Sequence, residues 1–341
     1  MTATVIDGSG ALRPPLASAP GGPAVATYGH IWRILMRVFV TGASGWIGSA
    51  VVPELVGEGH QVVGLARSDA SAAALTAAGA EVVRGTLDDL GVLRDAAAGS
   101  DGVVHLAFKH DIAFSGDFKG AGEADRRAVE VIGEALAGSG RPFTIASGTP
   151  SIPGHVATER DGHDPDPAAA ARGDAQHVRA VTAELALSLA ASGVRSSVVR
   201  LAPTNHGEGD NGFVPALIGT ARDKGVSGYV GDGANRWSAA HRLDSAHLFR
   251  LALEKAPAGS TLHAVAEEGL PVRDLAEVIG RRLGLPVVSV PAADAGAHFG
   301  WLAGPLAANR AASSVLTREL LGWEPAQVGL VEDLEQGHYF A

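Results

Sequence analysis

A strand, a glycine-punctuated turn and a helix follow one another in "VFVTGASGWIGSAVVPEL", residues 38–55. Few short stretches restrict a fold as tightly. Glycine at 42 permits the tight turn, glycine at 45 lets a pyrophosphate approach the backbone amides, and glycine at 48 lets helix and strand pack closely. Ser44, Trp46 and Ile47 complete the expected cradle. The helix start offers partial positive charge to phosphates. From Met36 onward, short β-branched runs alternate with glycine-containing turns and alanine-rich helical stretches, which predicts a parallel sheet.

The predicted strands are residues 37–40, 61–65, 80–84, 102–107, 142–147 and 195–201. Right-handed crossovers then give a doubly wound Rossmann-type α/β sheet of order 3-2-1-4-5-6, with ligands outside the carboxyl ends of the strands. After Leu201 the rhythm changes to loops with isolated helices at 213–225, 244–256 and 272–284. The expected organisation is a dinucleotide-binding domain over 36–202 and a mainly substrate-binding lobe over 203–341. Residues 1–35, rich in Ala, Gly and Pro, read as a disordered extension or as a misassigned one, Met36 being the alternative start.

With 341 residues and 46% apolar content, the chain has room for one large α/β domain and a smaller companion. Its net charge is −10 and its 27 basic residues are scattered, so no cluster can track nucleic-acid phosphates. The absence of cysteine excludes disulfides, thiolate nucleophiles and cysteine-based zinc sites. No apolar run reaches the ~18 to 20 residues of a membrane span. These features predict a soluble cytoplasmic protein with a small-molecule substrate, no nucleic-acid or membrane partner, no metal, and a monomeric or homodimeric state.

The second strand ends in Ala66, Arg67 and Ser68, where an NAD-preferring site would carry an acid for the ribose diol. An arginine there suits a 2′-phosphate, so NADP(H) is the preferred cofactor and NAD(H) the alternative. Arg67 read without a ligand is a solvated loop charge.

Together with "GTLDD", "VVHLA", "IASGT", "VVRLAPTNHGEGD" and "GDGANRWSAAHRLDSAHL", the glycine turn resembles the short-chain dehydrogenase/reductase superfamily, in its NAD(P)-dependent epimerase/dehydratase branch of extended and atypical members. The resemblance covers nearly everything from Met36. It implies that Leu87 and Ala107 lie along the adenosine and ribose, Ser147 beside the substrate carbonyl and Pro203 near the nicotinamide. Thr86 stands where the family has an acid that reads the adenine, and Asp88 is the candidate to compensate.

A larger departure concerns the family's Tyr-x-x-x-Lys, whose lysine lowers the tyrosine pKa for proton transfer. Those positions fall on Gln176 and Ala180, or one residue on at His177 and Val181. Neither register supplies the pair. The three tyrosines, Tyr28, Tyr229 and Tyr339, have no lysine four residues on.

Replacement proton donors are therefore sought among histidines and a lysine. His177, beside Asp174, is one candidate; its plainer reading is a surface histidine with a helix-side hydrogen bond. The loop after the fourth strand offers Lys109, His110 and Asp111, of which at most one or two can face inward. Ser147, with Thr149, is placed to hydrogen-bond a carbonyl oxygen. His206 stands where the family's substrate loop begins, and Trp237, with His241 and Asp244, forms either a pocket wall or a junction between lobes. No histidine pair has metal-ligand spacing on a helix, and no nucleophile elbow surrounds Ser147.

Three functions follow: an NADP(H)-dependent oxidoreductase acting on a carbonyl or alcohol of a small organic molecule, an epimerase, dehydratase or isomerase using bound NAD(P) transiently or not at all, and a catalytically silent NADP-binding regulator.

Overall fold

The strand Arg37–Thr41 (β1) is buried along almost its whole length, as its unbroken apolar run requires of a strand covered on both faces. Its neighbours are Gln61–Ala66 (β2), Glu81–Arg84 (β3), Gly102–His105 (β4), Pro142–Gly148 (β5) and Arg195–Leu201 (β6). Thr204–His206 (β7), Ser227–Val230 (β8), Arg236–His241 (β9), Ser260–Ala264 (β10), Glu267–Pro271 (β11) and Val287–Val290 (β12) follow. This computed structural model describes residues 35–341; the N-terminal extension expected over 1–35 lies outside them except for Leu35.

Seven parallel strands form the central sheet in the order β3-β2-β1-β4-β5-β6-β10. The six-strand order expected from the crossovers is present, and β10 extends it. Alternation along β1 sends Val38 and Val40 to one face and Phe39 to the other. The helices Gly48–Gly57 and Arg242–Lys255 cover the first face, and Leu90–Ala98, Phe118–Leu136 and Ala175–Ser188 cover the second.

A boundary at 202/203 is thus not where the sheet ends. The helix Arg242–Lys255 buries Ala246, Leu248, Phe249 and Leu253 in the same core as β1, and β10 pairs with β6, so both belong to the sheet half of the fold. The smaller lobe is built from the sheet β11-β9-β7, the pair β12-β8 and the helices Phe213–Lys224, Val272–Leu283 and Leu330–Glu335. Among the described residues no helix is long and apolar enough to cross a membrane, and no cluster of three or more histidine or carboxylate side chains is arranged to hold a metal.

Two sequence candidates in this lobe lie in its packed interior. Trp237 is 0% exposed, packs on Phe213 and donates its indole N–H to the Pro305 carbonyl, which makes it a core residue and not a pocket wall. His206 is buried with its Nδ1 2.8 Å from Asp333 Oδ2, so its imidazole binds a carboxylate of the fold and has no surface for substrate.

β10 is anchored through His263, whose amide donates to the Thr317 hydroxyl and whose Nδ1 donates to the Ser313 carbonyl. The same Thr317 hydroxyl and its amide both donate to Glu159 Oε1. Burial pushes the His263 pKa down to about 4, against the pull of Glu159. As pH falls below 6.5 the unfolded chain takes up this proton while the native one does not, so stability is lost between pH 6.5 and about 4. The shift corresponds to roughly 3 kcal/mol. Urea unfolding of wild type and His263→Gln from pH 7 to pH 4 should show the wild type losing about that much more; parallel profiles would contradict the assignment.

Candidate active site

Gly42 has φ +64°, and a Cβ there would lie 2.6 Å from the Ala107 amide nitrogen. A Cβ at Gly48 would lie 2.1 Å from the Gly42 carbonyl oxygen. Side chains at either position are sterically excluded, so the turn brings β1, the loop after β4 and the start of the first helix into backbone contact. The Gly45 amide donates to Gly42 O and the Ser49 amide to Gly45 O, whereas the amides of Trp46, Ile47 and Gly48 donate to no backbone carbonyl among the described residues. A helix start with free amides is suited to an anionic group.

Other side chains of this cradle are tied across the fold. Ser44 is exposed and Ile47 half-buried. Trp46 donates its indole N–H to the Asn205 carbonyl at 2.8 Å and carries the Arg242 guanidinium 4.4 Å from its ring centroid. Pro203, two residues before Asn205, is half-buried.

At the end of β2, Arg67 is largely exposed and pairs loosely with Asp111 at 3.4 Å. The Ser68 hydroxyl accepts the Ser71 amide as the N-cap of the next helix. Leu87 is buried in the core around Phe39, and the half-buried Ala107 donates its amide to the Thr41 hydroxyl. The Thr86 hydroxyl and amide both go to Asp89, while Asp88 binds Lys109 at 2.6 Å. Lys109 is thereby held by a carboxylate on the adenosine side of the expected crevice.

His177 accepts the Asp166 amide at its Nδ1, and its own amide is capped by the Asp174 carboxylate. Both contacts belong to the junction between the short helix Pro167–Ala171 and the helix Ala175–Ser188. That bonding ties the imidazole to the helix junction, the plainer of its two sequence readings.

Ser147 and Thr149, at and just beyond the end of β5, are buried residues whose hydroxyls bind no other described residue. Beside them runs a chain of bonds whose members were not among the sequence candidates. Arg179 donates from Nη2 to the Ala146 carbonyl at 2.6 Å and from Nη1 to Asp125 Oδ2 at 2.7 Å. Asp125 Oδ1 is 3.0 Å from His105 Nε2, and His105 Nδ1 is 2.9 Å from the Thr41 hydroxyl.

One proton assignment satisfies every member: the Ala107 amide donates to Thr41, Thr41 to His105 Nδ1, and His105 Nε2–H to Asp125. The guanidinium then balances the carboxylate. Burial pushes the Asp125 pKa up, but Arg179, with help from His105 and Thr182, holds it below the usual carboxylate range. Asp125 stands among Ala121, Ala124, Ala128 and Val129 on the buried face of its helix, and that lone charge in an apolar stripe is the signal that could have found it.

The Arg179 guanidinium also lies 4.5 Å from the Phe108 ring centroid, and Phe108 meets the His110 ring edge-on at 5.1 Å. Burial lowers the His110 pKa, Arg179 lowers it further, and Asp111 and Asp125 oppose them. The imidazole is therefore neutral near pH 7, able to donate through one nitrogen and accept through the other.

The family model described as "NAD dependent epimerase/dehydratase family" matches residues 38–265. An uncharacterized protein of Saccharomyces cerevisiae, YLL056C, is 47% identical over 306 residues, which span 89% of this chain and 99% of that one. The 2-alkyl-3-oxoalkanoate reductase of Stenotrophomonas maltophilia is 30% identical over 261 residues, 74% of this chain and 77% of its own length. The crystal structure of the dTDP-glucose 4,6-dehydratase DesIV from Streptomyces venezuelae, with NAD bound, superposes with a TM-score of 0.70 at 22% identity, covering 89% of this chain and 96% of that one.

Gly48→Ala tests the cradle. Forcing a methyl against Gly42 O should cost about 1–3 kcal/mol of stability and weaken NADPH at least about tenfold. Fluorescence titration giving wild-type affinity would show that the turn does not approach the cofactor.

Proposed function

The chain belongs to the NAD dependent epimerase/dehydratase family, and we propose that it is an NADP(H)-dependent oxidoreductase acting on a carbonyl or alcohol of a small organic molecule. The observation that carries this reading is the glycine cradle, with no room for side chains at 42 and 48 and three amides without a backbone acceptor among the described residues. That donor set fits a dinucleotide pyrophosphate. Bound there, the nicotinamide supplies or accepts a hydride.

The chain's own residues provide the rest. Ser147, whose hydroxyl at the end of β5 binds no other described residue, holds the substrate oxygen, and Thr149 extends the polar wall. His110 holds and moves the proton at that oxygen. Arg67, largely exposed and only loosely paired, is free to turn to a 2′-phosphate, which favours NADP(H).

Arg310 supports an anionic substrate. Its Nε is buried with no hydrogen-bond partner among the described residues, and burial lowers its pKa with no carboxylate among them opposing. A half-buried cation with no counter-charge among the described residues is costly, and an acidic ligand would offset that cost. Reductive chemistry on an oxo acid is what the name of the Stenotrophomonas relative describes.

Incubation with NADPH and a panel of 3-oxo acids and neutral ketones tests the reading: net NADPH consumption supports it. Product formed without net consumption would favour an epimerase or dehydratase, and binding without turnover a regulator.

Arg67→Asp should weaken NADPH about tenfold or more and leave NADH nearly unchanged; equal losses would sink the NADP preference. For His110, the sign follows from its lowered pKa. Reduction needs the protonated ring and should decline as pH rises through a value below 6.5, while alcohol oxidation should rise over the same range. His110→Gln should lower kcat by roughly 10²-fold and flatten both profiles; an unaltered profile would remove His110 from the proton path.

A further inference from the structure

The helix Ala175–Ser188 contains neither tyrosine nor lysine, yet it delivers a charge to the reacting centre. Arg179 is rooted on this helix, and its guanidinium binds the carbonyl of the residue immediately before Ser147. Its second nitrogen is fixed by a carboxylate whose side chain is 3% exposed. Its central carbon lies over the ring of Phe108, 4.5 Å from the centroid, and His110 meets that ring edge-on. The Arg179 side chain is itself 21% exposed, and the bonds to Asp125 and Ala146 use two of its five N–H groups.

We propose that Arg179 is the positioning residue of the reacting centre, one immobile guanidinium standing where this helix lacks the tyrosine and lysine pair. It fixes the end of β5 under Ser147 through the Ala146 carbonyl. It also imposes a permanent positive charge on His110 across Phe108, favouring the neutral imidazole. A guanidinium cannot lose its proton under working conditions, so its part is electrostatic and geometric and the proton belongs to His110. The inference rests on the reading of Ser147 and His110 given above.

The groups facing His110 come from several elements. Arg179 belongs to the helix Ala175–Ser188, Asp125 to the helix Phe118–Leu136, and Asp111 to its own turn. Asp111 is partly neutralised by Arg67 from the end of β2, and Lys109 by Asp88. Of the charged neighbours, Arg179 is the strongest influence and the one that disfavours protonation.

The test is the NMR titration of the His110 ring, assigned by loss of its signal in His110→Gln. Arg179→Gln should raise the His110 midpoint by on the order of half a unit or more, because a nearby cation has been removed. Arg179→Lys keeps the charge and should leave the midpoint near wild type, an outcome that a purely packing role would not give. Because Arg179→Gln strands a buried carboxylate, the comparison is repeated between Asp125→Asn and Asp125→Asn with Arg179→Gln, where the midpoint should again rise.

Unchanged midpoints in folded glutamine variants would overturn the proposal. Failure of both glutamine variants to fold would also overturn it, leaving Arg179 a structural residue. The titration needs no turnover, so a shift without any NADPH-dependent activity would remove the oxidoreductase reading while leaving Arg179 in control of His110.

Discussion

Asp125, a carboxylate with almost no surface, sits between a guanidinium and an imidazole, and the bonds that satisfy it hold together the strand ends around the candidate site. A buried carboxylate is tolerated only when paired and hydrogen-bonded, and losing one partner of such a pair typically costs about 3–5 kcal/mol. Here the requirement recruits Arg179 from one helix, His105 from β4 and, through His105, Thr41 from β1. Arg179 in turn takes the carbonyl of Ala146 in β5. Three neighbouring strands and two helices are thereby fixed relative to one another where ligands of open α/β sheets bind.

A second set of ties joins this half to the smaller lobe. Trp46 of the glycine turn reaches Asn205, whose side chain accepts the Ser245 hydroxyl from the helix Arg242–Lys255. Just after β7, the Tyr339 hydroxyl donates to Asp210 and receives the Gly207 amide. Burial raises the Asp210 pKa and, with Asp210 beside it, that of Tyr339 also rises, so their bond is one between a phenol and a poorly solvated carboxyl group. The last tyrosine of the chain thus shapes the loop after β7.

The sheet order was legible because strands covered on both faces must read as short apolar runs, and because a crossover has one favoured hand. β10 escaped notice: "STLHA" carries a histidine and follows a change of rhythm, and only the fold shows that its backbone pairs with β6 and that the Ser313 carbonyl takes the imidazole N–H. The cradle was legible because its glycines are demanded by backbone contacts local in sequence. His177, His206 and Trp237 were read as candidates because a sequence does not distinguish a side chain open to a ligand from one already bound within the fold. Arg179 and Asp125 went unread for a related reason, being 54 residues apart and recognisable as partners only once their helices pack side by side. A cation one residue before the vacant lysine position was visible, but its direction was not.

A crystal structure of the NADPH complex would show whether the buried pair of Arg179 and Asp125 organises a reacting centre at Ser147 and His110. The expected complex has the pyrophosphate on the amides of residues 46–48, nicotinamide C4 facing the Ser147 hydroxyl and the His110 ring, and Arg179 still bridging Asp125 and the Ala146 carbonyl. A nicotinamide turned away from Ser147 and His110, or an Arg179 released from Asp125 when the cofactor binds, would contradict it.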